Sequence, residues 1–169
     1  MVLLHPKAGM LVGIAFGFVW SLIGLFGFSA TIRPAGLVVA AGMAAILAVA
    51  VLRSDRRHGV APPADRKLLR LSIAGEMILI VAAFLYGNIT DRPDLILPLI
   101  ALAVALHFLP MGMAYRNRLL QRIGLLASAV ALASLAFTMP ARLMVLGFGM
   151  CASIWAGVAF DMKKKAVLF

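Results

Sequence analysis

Acidic residues and cysteine are scarce in this chain. Six of its 169 residues are Asp or Glu, against sixteen Lys or Arg, and one is Cys. The lone Cys151 forms no intramolecular disulfide, which excludes a disulfide-stapled scaffold and says nothing of redox compartment. Charge of either sign is short as well. Charged residues are 13% of the chain, about half the ~25% of a soluble domain. No long polar stretch exists. The longest, "RSDRRHGVAPPADRK" (53–67), is too short to bury a core of its own. There is no Ser–His–Asp arrangement, HExxH, CxxC or phosphate loop, so an enzyme of the water-soluble kind is excluded. Gly147-Phe148-Gly149 has no strand–turn–helix unit around it and is no nucleotide fingerprint.

What is present is apolar. Hydrophobic residues make up 64% of the chain and mean hydropathy is +1.06. Only an integral membrane protein fits. The net charge of +10 would suggest nucleic acid in a soluble protein. Here the cations sit at the ends of apolar runs, with no basic face bearing aromatic platforms, so no nucleic-acid partner is expected. Membrane topology and anionic lipid headgroups account for the charge. Membrane lipids are the expected partners.

Apolar runs fall at 9–28, 35–52, 68–86, 95–115, 123–139 and 143–160. Each is near the ~20 residues a helix needs to cross ~30 Å of hydrocarbon. The runs are continuous rather than alternating, which favours helices over strands. An all-α, single-domain polytopic protein of six transmembrane helices is expected. The first run is longer than a signal-peptide core and lacks a good small-residue cleavage site, so it is read as a span.

Orientation follows from Lys and Arg. The N-terminus, second loop, fourth loop and tail hold thirteen of them, and the other three loops hold Arg33, Arg92 and Arg142. This alternation places both termini in the cytoplasm. The three outer turns read "TIRPAGL", "TDRPDLI" and "TMPARLM". Three helical hairpins, each turning outside, are the expected layout, as an internal repeat or as convergent turn chemistry.

Glu76 is the one acid inside an apolar span, and His107 lies in the next span. Both sit roughly 12 Å in from the cytoplasmic end at 1.5 Å per residue. Antiparallel neighbours joined by a short turn bring matched depths together. A charge at depth costs at least ~2.5–3.5 kcal/mol on insertion scales. Pro110 cannot donate to the carbonyl of Leu106, and that carbonyl needs another partner inside the membrane. A kinked polar notch beside His107 is expected. Glu76 and His107 are candidates for binding a proton or ligand; the structural alternative is an interhelical lock. Met111 and Met113 near His107 are soft ligands of the kind copper takes, but they point to different helix faces, so no metal or cofactor is expected.

Gly9, Gly13, Gly17 and Ser21 recur at every fourth position of the first span, and Gly149, Ser153 and Gly157 do so in the last. Such stripes let backbones approach closely, within the chain or in a homo-oligomer. Arg33, Arg92 and Arg142 either contact lipid phosphates or ring an outer mouth. Tyr115 suits an interfacial anchor, whereas Trp20 falls mid-span and should pack inside or line a cavity.

The piece "LHFLPMGMAYRNR" (106–118) resembles a segment of an uncharacterised bacterial six-helix integral membrane family. That family carries a His-Leu-Leu-Pro segment, then a tyrosine and basic residues at the end of its fourth helix. His107, Pro110, Tyr115 and Arg116 are the matching positions, and Met111-Gly112-Met113 departs from the aromatic residues of the pattern. The resemblance implies six spans and no known activity. The layout is also similar, in architecture alone, to small bacterial stress-associated six-helix membrane proteins. The expected function is a small transport-type or ligand-responsive protein with a polar site at Glu76 and His107. A membrane scaffold built on the glycine stripes is the second expectation, and an intramembrane lipid-modifying enzyme the third.

Overall fold

A computed structural model describes residues 6–54 and 64–166. Arg56 and Arg57, counted above among the cytoplasmic cations, lie outside the described residues. Six α-helices follow in order: α1 (Pro6–Leu25), α2 (Arg33–Arg53), α3 (Arg66–Ile89), α4 (Ile96–Ala114), α5 (Arg118–Ser134) and α6 (Ala141–Ala166), with one 3₁₀ turn (Pro93–Leu95) leading into α4. No strand occurs among the described residues. Four segments are long and apolar enough to cross a membrane: Arg33–Arg53, Arg66–Ile89, Pro93–Ala114 and Ala141–Met162. The apolar part of α1, Gly9–Leu25, is shorter.

The fifth helix is offset from the expected run. It starts at Arg118 and ends at Ser134, five residues earlier at each end than 123–139. Asn117 caps it by accepting from Leu119 N–H at 3.0 Å, and Arg, Leu and Gln then favour helix. "RLLQR" is therefore the first turn and not a loop. At the other end, Leu135, Ala136 and Phe137 bond three residues back, and Pro140 disfavours helix in the residue before it. Similar local chemistry starts the other helices. Pro34 stands where a helix needs no N–H, and Asp65 accepts from Leu68 N–H at 3.1 Å.

The chain divides into two compact units, one of Met1–His58 with Met139–Phe169 and one of Gly59–Thr138. In the first, α1 is central and packs against both α2 and α6. Gly17 faces the indole of Trp155, and Gly13 faces Ile154 and Val158. Gly147 meets the backbone of Gly24 so closely that no Cβ fits. The pairs run in opposite order along the two helices, so α1 and α6 are antiparallel. Lys7 Nζ donates to Leu52 O at 2.9 Å, tying the start of α1 to the end of α2. Met10, Ile14, Val51 and Val158 form the core there, with Met162 packed against it.

In the second unit α4 is central, between α3 and α5. The N–H of Asp65 donates to Ala114 O at 3.0 Å, joining the start of α3 to the end of α4. Gly124 lies against Ala105 O and Phe108, and Gly112 against Gln121. Ala101, Ala103, Ala105, Ala127 and Ala131 are buried, and small side chains let these helices approach.

The fifth helix packs on α4 and the sixth on α1, so each unit gathers three helices. The physical reason is surface shape: the glycine face of α1 accepts Trp155 and Gly147, and a chain connection alone does not create such a fit.

Candidate functional site

Ser72 and Glu76 are four residues apart on α3 and share one face. That face meets His107 of α4. Glu76 Oε2 lies 3.4 Å from His107 Nδ1. This is ion-pair distance, longer than the ~2.7–2.9 Å of a charge-assisted hydrogen bond. The close partner of Nδ1 is Ser72 Oγ, at 2.9 Å. The same hydroxyl reaches His107 O at 3.1 Å.

The tautomer of His107 sets the donor and acceptor roles in these contacts. A hydroxyl has one proton to donate. Given to the His107 carbonyl, it leaves Ser72 Oγ as the acceptor for an Nδ1–H. That N–H also faces the Glu76 carboxylate, 3.4 Å away. Ser72 is 5% exposed; the side chains of His107 and Glu76 are 12% and 20% exposed. Among the described residues no donor meets Glu76 Oε1, and no partner meets His107 Nε2. A carboxylate in an apolar span with one long contact has most of its acceptor capacity unmet, and such groups call for a ligand, proton or water.

Ser72 was absent from the sequence reading. Its position one helical turn before Glu76 was the available signal. The notch at Pro110 also differs in detail. Pro110 stands inside α4, but the carbonyl met by a side chain from the neighbouring helix is that of His107 and not that of Leu106.

Beyond the pair, α3 and α4 enclose a lateral cleft of about 240 Å³, lined among others by Leu79, Ala83, Tyr86, Leu99, Ala103 and Leu106. Glu76 and His107 are not in its lining, which begins one turn further along α3 and at the residue before His107.

The outer arginines have partners within the chain. Arg33 donates to the carbonyls of Phe28 and Phe26 at 3.0 and 3.2 Å and stacks over the Phe26 ring at 5.3 Å. Arg92 pairs with Asp94 at 3.1 Å, and the hydrogen bond to that carboxylate, then its charge, raises the guanidinium pKa. Arg142 is buried at 9% exposure. Arg33 and Arg142 belong to the first unit and Arg92 to the second.

The small-residue stripes are used within the chain. Gly13 and Gly17 face α6, whereas Gly9 faces open space. Ser21 is buried and donates to Phe18 O at 2.6 Å. On α6, Ser153 donates to Gly149 O at 2.8 Å, and Ser153 and Gly157 are buried. The closest approach, Gly24 against Gly147, was not singled out from sequence, although Gly24 extends the first stripe three residues past Ser21. Trp20 is buried, and Trp155 Nε1 donates to Ile14 O at 3.1 Å.

Over residues 4–163 the chain matches the model of a family of unknown function (DUF7010), and it belongs to that family. The membership agrees with the resemblance carried by residues 106–118, to an uncharacterised family with no activity to transfer. No curated protein and no solved structure matches the chain.

Proposed function

We propose that this chain is a small integral membrane protein of the transport or ligand-responsive kind, and that the Glu76–His107 pair is its working site, carrying a proton. The observation that carries the reading is the 3.4 Å contact between two titratable groups inside apolar helices, with Oε1 and Nε2 unmet among the described residues. An interhelical lock alone is a weak reason for an acid at that depth, because such bonds average only ~0.6 kcal/mol. Ser72 holds the imidazole by its Nδ1 and leaves Nε2 for proton exchange.

All six helices span the membrane in this reading, with both termini in the cytoplasm of a bacterial cell and lipids as the surrounding partners. Each unit gathers its basic segments at one end. In the first, Lys7 lies by Leu52 at the end of α2. In the second, the start of α3 with Arg66, Lys67 and Arg70 is tied to the end of α4 and the start of α5. The positive-inside rule assigns those ends to the cytoplasm.

Proton flux into proteoliposomes tests the site. With a potassium gradient and valinomycin driving proton entry, wild-type protein should acidify the lumen at least fivefold faster than Glu76→Gln or His107→Ala, both matching empty vesicles. A wild-type rate equal to that of empty vesicles, or variants as fast as wild type, overturns the proposal.

A further inference from the structure

The polar pair and the apolar cleft lie on one continuous face of the second unit. Along α3, Ser72, Glu76, Leu79, Ala83 and Tyr86 follow at spacings of four and three residues, which keeps them on one side of a helix. Along α4, His107, Ala103 and Leu99 follow at spacings of four. The carboxylate therefore stands beside one end of the cleft, with one oxygen that meets no donor among the described residues and with about a fifth of its side chain exposed.

We propose that this face binds an amphiphile with a protonated amine head and an unbranched alkyl chain, the ammonium on Glu76 and the chain in the cleft. The proposal rests on the reading of Glu76 and His107 as the working site. Three features select this class. Glu76 is acceptor-only when ionised, and an ammonium offers three donors. An anionic head would place like charges side by side. The cleft, at about 240 Å³, falls below the ~300–1,000 Å³ of sites for drug-sized ligands and is lined by aliphatic side chains and one tyrosine, which suits a thin chain better than fused rings.

Binding exchanges a cation for a proton. The exchange proposed here starts from the pair with one proton between Glu76 and His107. The incoming ammonium takes over as counter-charge to the carboxylate. His107 is left neutral and one proton leaves to water, so the site remains neutral. No other ionisable side chain competes at the pair. α4 carries none besides His107, α3 carries Arg66, Lys67 and Arg70 toward its start and Tyr86 toward its end, and α5 carries Arg118 and Arg122 in its first turns.

The test uses the full chain in nanodiscs of zwitterionic lipid, with empty discs subtracted. Binding of n-decylammonium is compared with decanoate and 1-decanol by calorimetry, in two buffers of different ionisation heat. Decylammonium should bind at least tenfold more tightly than decanoate and release one proton. Glu76→Gln should abolish that preference. Ala82→Leu, at an exposed lining position of the cleft, should weaken decylammonium at least fivefold, and Ala129→Leu, exposed on α5, should not. Equal binding of the two charged probes, no proton release, or an unaffected Ala82→Leu overturns the inference. If proton flux through the pair persists in that case, the pair stands and the amphiphile alone is rejected; if flux is absent as well, both fall.

Discussion

The two three-helix units use the same small-residue packing and differ in one polar cluster. In the first, Ser21 and Ser153 donate to their own helices, at Phe18 O and Gly149 O, and Trp155 of α6 donates to Ile14 O of α1. In the second, Ser72 crosses to the neighbouring helix and Glu76 is left with one long contact. Satisfied groups with no titratable member hold a structure together. A cross-helix set containing a carboxylate and an imidazole has a proton to move.

The strongest way to test that contrast is to damage the first unit. Gly147→Leu puts a side chain where the Gly24 backbone stands. Backbone cannot yield as a side chain does, so the variant should fail to give monodisperse protein by size-exclusion chromatography. Gly17→Leu, which meets the movable indole of Trp155, should be milder, losing about 1–3 kcal/mol in a denaturation series. Equal behaviour of the two would mean that the α1–α6 seam does not depend on backbone contact.

Changes in the second unit should separate function from stability. Ser72→Ala removes the donor to His107 O and the partner of Nδ1. Its stability cost should be small, about 0.6 kcal/mol for an interhelical bond, while proton flux falls severalfold. A large loss of stability with unchanged flux would return Ser72, and the pair with it, to the structural role. Removing the Asn117 cap with Asn117→Ala should cost about 1 kcal/mol and lower the melting temperature without changing flux. The smallest effect belongs to Gly42→Ala in α2, where a Cβ meets nothing within 4 Å. Alanine favours the helix there by up to about 1 kcal/mol, so the melting temperature should hold or rise slightly.

Much of this was legible in the residues themselves. The runs of apolar sequence located all six helices, and for the fifth the missing information was the cap. Asn117 reads equally well as loop or as N-cap until its side chain is seen accepting from Leu119 N–H. The depth argument brought Glu76 and His107 to one level because helix rise is constant. It could not reveal that Ser72 would take the short bond to Nδ1, since one-dimensional spacing gives depth and face but not the rotation of one helix against its neighbour. For the same reason Arg33, Arg92 and Arg142 read as contacts of lipid phosphate or as a ring around a mouth, while Arg33 lies on the Phe26 ring and Phe28 carbonyl.

By itself the sequence determined that this is a helical chain with segments apolar enough to cross a membrane, with cations gathered at their ends, and that one acid and one histidine fall at matched positions along neighbouring helices. These are properties of composition and of repeat distance along the chain. Only the tertiary structure decided which helices pack together, that glycine meets glycine between α1 and α6, and that a serine takes the short contact to the histidine. Those outcomes depend on side-chain shape across a helix interface, and shape becomes definite only when two surfaces are in contact.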